Sequence, residues 1–105
     1  MIRHIVFFSV PEPENLETVF AGLSLLKDNP HALRLDIGRN LKTDQLNVDV
    51  DLVVYGEFAD AAALAAYKGH PLYQQAIDIV RPLREMRIAA DFEVDDNYSP
   101  PSVTS

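Results

Sequence analysis

Tyr67, His70 and Tyr73 stand at three-residue intervals in the run Ala66-Tyr67-Lys68-Gly69-His70-Pro71-Leu72-Tyr73. Two phenols and an imidazole together can polarise a carbonyl and pass a proton near neutral pH. An uninterrupted helix would carry all three near one face. Pro71 interrupts it, because proline suits a helix start and restricts the residue before it, so a bend or restart is expected here. Two readings follow: the break sets the trio at the mouth of a pocket, or it is a turn between two packed helices. His4 is the other candidate. It lies among apolar residues in Ile-Arg-His-Ile-Val-Phe-Phe-Ser-Val, where an imidazole is costly to bury without a partner. From the first strand it could face the helix that carries Tyr67.

Other polar residues offer less. His31 follows Pro30 at a turn and reads as a loop residue, and the three histidines lack metal-ligand spacing. Arg87 and Asp91 share one parity of the last strand and read as a solvated or interface salt link near a cavity. Asp49, Asp51 and Glu57 make an acidic side of the third strand, read as solubilising, without the spacing of a calcium loop. No glycine-rich phosphate motif and no local serine-nucleophile motif is present, so neither a cofactor nor a metal is expected.

The elements that must position these residues are legible from periodicity. Ile2 to Val10 reads as a strand with His4, Val6, Phe8 and Val10 on one side and Ile5, Phe7 and Ser9 on the other. Leu16, Val19, Phe20, Leu23 and Leu26 recur at helical spacing through Lys27, most simply as sheet-facing core; Val19 or Phe20 is also a candidate cavity wall. Leu33, Leu35 and Ile37 alternate with polar residues as a second strand ending near Gly38, and a third runs from about Val48 to Phe58. Asp60 is a helix cap before an alanine-rich segment. After the break, Leu72, Ala76, Ile79, Val80 and Leu83 make another helical stripe, and Met86 to Val94 is the fourth strand.

Strand, helix, two strands, helix, strand is the double βαβ order of a ferredoxin-like α+β fold, with both helices on one side of an antiparallel sheet. The opposite side keeps Ile88, Ala90 and Phe92 and needs cover, which pairing of two subunits would supply. One domain, residues 1–94, is expected, with residues 95–105 as an irregular tail. The 105 residues carry 16 acidic and 9 basic side chains, a formal charge of −7, which disfavours nucleic acid and anionic membranes as partners. Cysteine is absent, which removes disulfide and thiolate chemistry. With neither a secretory-type opening nor a membrane-spanning stretch, a cytoplasmic location is expected.

Across Met1 to Val94 the chain resembles the stress-responsive A/B barrel domain family. The resemblance rests on IRHIVFFSV, the helix ending near LLKDNP, LRLDIGRN, VDLVVYGEF, AYKGHPLYQ and the closing MRIAADFEV. It implies a ferredoxin-like subunit and a homodimer in which two sheets build an α/β barrel. Comparison with a plant polyketide cyclase of the family implies a cavity between sheet and helices holding His4 and Tyr67 with Val6, Phe8, Val19 and Val54. His70-Pro71 matches the family's H-P pair, but Tyr73 stands where the cyclase's H-P-x-H motif has its second histidine, and a phenol is the poorer general base. The expectation is a dimer of uncharacterised biochemical role that binds a small apolar, aromatic or carbonyl-containing ligand. A cofactor-independent cyclase, isomerase or small monooxygenase-like enzyme is one alternative, and a structural or protein-interaction module another.

Overall fold

The computed structural model describes residues 1–47 and 49–95. Its elements run β1 (Ile2–Phe8), α1 (Leu16–Ser24), β2 (Arg34–Arg39), β3 (Leu52–Phe58), α2 (Ala61–Gly69), α3 (Pro71–Val80) and β4 (Arg87–Glu93). The sheet order is β2-β3-β1-β4 with every neighbouring pair antiparallel, the ferredoxin-like arrangement expected from the order of elements. The expected start of the third strand at Val48 and the expected tail beyond Asp95 lie outside the described residues. Within them β3 begins at Leu52, later than periodicity suggests.

Alternation settles which sheet face is buried. His4, Val6 and Phe8 of β1 point inward with Leu52, Val54 and Phe58 of β3, and all six are at most 5 % exposed. Val19 and Leu23 of α1, Leu26 just beyond it, Leu64 and Tyr67 of α2, and Ala76 and Val80 of α3 close over them. Gly22 lets α1 and α3 come together, since a Cβ there would stand 2.7 Å from Cγ2 of Ile79. Ile79, expected in the buried stripe, is instead 38 % exposed. Every residue of β4 is exposed, on both faces. The outer sheet face is left uncovered, with Phe7, Ile88 and Phe92 on it all substantially exposed.

Two junctions shape the site. Asp60, in extended backbone, caps α2 by accepting a 2.8 Å hydrogen bond from the Ala63 amide, as its side chain predicts. The helix then breaks at His70, whose φ of −75° and ψ of 145° are extended, and α3 restarts with Pro71 in its first turn. Asp51 departs from its expected solubilising role. Its carboxylate accepts from the Val10 amide at 2.7 Å and from Lys42 Nζ at 2.7 Å, fastening the chain beyond β1 to the loop before β3.

Candidate functional site

A cavity of about 290 Å³ opens between the inner sheet face and α3, near β4. β4 is exposed along its whole length, and the space between α3 and the inner sheet face beside it stays unfilled. Val6, Phe8, Leu23, Leu26, Val54, Ala76, Ile77 and Val80 make its apolar wall. His4, Tyr67 and Tyr73 enter that wall from β1, α2 and α3. The size lies near the lower end of small-ligand pockets, and an apolar lining with a few converging polar groups is the usual composition.

His4 is 1 % exposed, and Nδ1 is hydrogen-bonded to Asp91 Oδ1. The pairing follows from register, since His4 and Asp91 are opposed across β1 and β4. Asp91 therefore serves His4, not Arg87 as the shared strand parity suggests. Burial outweighs the favourable carboxylate and holds the imidazole below the ordinary histidine pKa, so it is neutral at neutral pH. A neutral ring that donates from Nδ1 to a carboxylate keeps its lone pair on Nε2. That nitrogen has no hydrogen-bond partner among the described residues, and His4 lies in the cavity wall.

Tyr67 is also 1 % exposed, with its ring 6.1 Å from that of His4 and 4.8 Å from that of Phe58. Burial first, and the neighbouring Tyr73 second, push its phenol well above the ordinary tyrosine value, so it is an O–H donor at any ordinary pH. The hydroxyl has no hydrogen-bond partner among the described residues. Gly56 makes the aromatic group possible. It sits opposite His4 in β3, and a Cβ there would lie 2.8 Å from the Phe58 ring. Asn29, 4 % exposed, donates from Nδ2 to the Tyr67 carbonyl at 3.0 Å and so holds the last turn of α2 in place. Tyr73 packs edge-on against Tyr67 at 5.3 Å, and its hydroxyl lies 3.5 Å from Arg87 Nη2.

Two expected site residues are elsewhere. His70 is outside the cavity wall and acts as the cap of α3, its Nδ1 accepting from the Leu72 amide at 3.1 Å, with the His31 ring edge-on at 5.8 Å. The break at Pro71 turns His70 away from Tyr67 and Tyr73, which an unbroken helix would have kept on one face. Val19 is fully buried in the core, and Leu23 and Leu26, one and two turns on, take the wall position it was expected to share. The sequence reading missed Asn29, whose signal is only a helix-ending Asn-Pro pair, and it overlooked Arg81 and Arg84, which stand with Arg87 in the cavity wall. Among the described residues no cluster of histidine, cysteine and carboxylate side chains could hold a metal ion.

The model of the stress-responsive A/B barrel domain matches residues 2–94. The chain belongs to that family. This stress-responsive A/B barrel chain is similar to a dimeric ferredoxin-like protein of unknown function from Thermobifida fusca, 27 % identical, with 89 % of this chain and 90 % of that one covered and a TM-score of 0.76. A member of the same family from Mesorhizobium loti is 22 % identical over 89 % of this chain and 95 % of its own, with a TM-score of 0.74. A cofactor-independent oxygenase from Streptomyces nogalater shares the fold at 18 % identity and a TM-score of 0.67, over 96 % of this chain and 97 % of its own. No curated protein matches in sequence. Among the described residues no helix is long and apolar enough to cross a membrane.

Proposed function

We propose that this is a cytoplasmic homodimer whose helix–sheet cavity binds a small aromatic or carbonyl-containing molecule and moves a proton on it without a cofactor. The observation that carries the reading is the pairing of two complementary groups in one apolar space. Tyr67 brings a phenol that keeps its proton and can donate it, and His4 brings a neutral imidazole locked by Asp91 with its lone pair on Nε2. A ligand carbonyl accepts from the Tyr67 hydroxyl, which stabilises negative charge developing on oxygen. His4 Nε2 takes a proton from the adjacent carbon or from a phenol, and Asp91 stabilises the imidazolium that forms. Cyclisation, isomerisation and oxygenation of an aromatic substrate can each start from such an enolate or phenolate. The shared fold of the cofactor-independent oxygenase supports that class.

The dimer reading rests on the outer sheet face. Phe7, Ile88 and Phe92 are 37 %, 54 % and 48 % exposed there, and Arg3 on the same face has a buried Nε with no hydrogen-bond partner among the described residues. A second copy placed sheet to sheet covers this patch, and closure of the two sheets into one barrel follows the family's pattern. The Thermobifida fusca relative, a dimer, supports this arrangement.

Titration calorimetry with acetophenone tests the ligand reading. The wild-type chain is expected to bind it, and Tyr67→Phe, which keeps the ring and loses the donor, is expected to bind about five- to tenfold more weakly, the effect of one hydrogen bond. Equal affinity in the two proteins contradicts the assignment of Tyr67.

A further inference from the structure

Three arginines share the wall of the cavity. Arg81 follows the last residue of α3, Arg84 lies in the turn beyond it, and Arg87 opens β4. The connection carrying them is fastened to the end of β1. The Ser9 amide donates to the Met86 carbonyl at 3.1 Å, the Glu85 amide to the Ser9 carbonyl at 2.9 Å, and the Met86 amide to Ser9 Oγ at 2.8 Å. Ser9 is itself 8 % exposed, so the anchor is built into the fold.

The grouping stands in an acidic chain of formal charge −7. Of the other six basic side chains, Arg34, Arg39 and Lys42 pair with Asp36, Glu17 and Asp51, whereas Arg3, Lys27 and Lys68 form no ion pair among the described residues and do not line this cavity. Arg81, Arg84 and Arg87 pair with no carboxylate of the described residues. Arg84 donates to the Glu85 carbonyl at 3.3 Å, and Arg87 reaches the Tyr73 hydroxyl at 3.5 Å. Glu85, the carboxylate nearest in sequence, belongs to a separate depression with Lys42, Asp49 and Asp51. Three like charges around one opening repel one another, and a shared anion removes that repulsion. Guanidinium groups match planar carboxylates with paired N–H donors.

Resting on the ligand reading above, we infer that the cavity takes a carboxylate-bearing aromatic or keto compound. Its carboxylate is held by Arg81, Arg84 and Arg87 at the mouth, and its carbonyl lies inward against Tyr67 and His4. The arginines then set orientation. With the anion fixed at the mouth, the carbon next to the carbonyl faces His4, and an uncharged analogue lacks that constraint.

Calorimetry with two probes of one shape, 4-acetylbenzoate and its uncharged amide 4-acetylbenzamide, separates this inference from the cavity reading. The wild-type chain is expected to bind the carboxylate about tenfold more tightly, as one charge-assisted contact requires, with the preference shrinking as salt rises. The triple substitution Arg81→Gln, Arg84→Gln and Arg87→Gln is expected to abolish the preference for the carboxylate, so that the two probes bind alike. Equal binding of both probes by the wild-type chain overturns the anion site while the cavity reading stands. Binding of neither probe overturns both. Loss of amide binding in the triple variant, with its circular dichroism unchanged, assigns the arginines to shaping the cavity and also overturns the inference.

Discussion

The surroundings of His4, the proposed base, pull in opposite directions. Burial disfavours the imidazolium and Asp91 favours it, and burial prevails. The consequence for stability has a definite sign. Between its lowered pKa in the fold and the ordinary value of 6.5, the unfolded chain binds a proton that the folded one does not, so stability rises with pH across that window. The contribution is present above 6.5 and is lost as pH falls below it. Thermal midpoints of the wild-type chain measured from pH 7.5 to 5 are therefore expected to fall on acidification. His4→Gln is expected to show a shallower fall, and an equal slope in the two proteins contradicts a buried neutral His4. The sequence exposed His4 as an oddity among apolar neighbours and named Tyr67 beside it. Asp91 was visible with the wrong partner, because strand parity places it on a face and only cross-strand register pairs it with His4.

Elements with strong local signals were readable, and those set by tertiary geometry were not. The alternation of β1, the Asp60 cap and the proline break between α2 and α3 all stand where residue type and spacing put them. What the break does to its residues was not readable. Capping by a histidine ring needs a backbone angle that no spacing rule supplies, so His70 looked like a site residue and is a helix cap. Asn29 shows the same limit, since its hydrogen bond to Tyr67 spans 38 positions of chain. Arg81, Arg84 and Arg87 are evenly spaced in sequence, yet only the return from α3 to β4 brings them to one cavity wall. Val19 was placed on the correct helix face, but residues one and two turns on reach the cavity instead.

At the scale of the molecule, one sheet has two faces and this chain covers one. The helices cover the face that carries His4, and the other keeps an apolar patch that alternation in β1 and β4 predicts. Phe92→Glu places a charge within the proposed contact. Sedimentation at micromolar concentration is expected to give a dimer for the wild-type chain and a monomer for the variant, and a monomeric wild-type chain contradicts the sheet-to-sheet assembly. The cavity lies on the opposite side of the sheet, so ligand chemistry and assembly are separable. The chemistry is tested most directly by deuterium exchange into the methyl group of acetophenone in heavy water, followed by proton NMR. The wild-type chain is expected to accelerate exchange over buffer, and folded His4→Gln to lose on the order of 10²-fold of that acceleration, as expected for removal of a general base. Exchange no faster than in buffer, or undiminished in folded His4→Gln, contradicts proton transfer by His4.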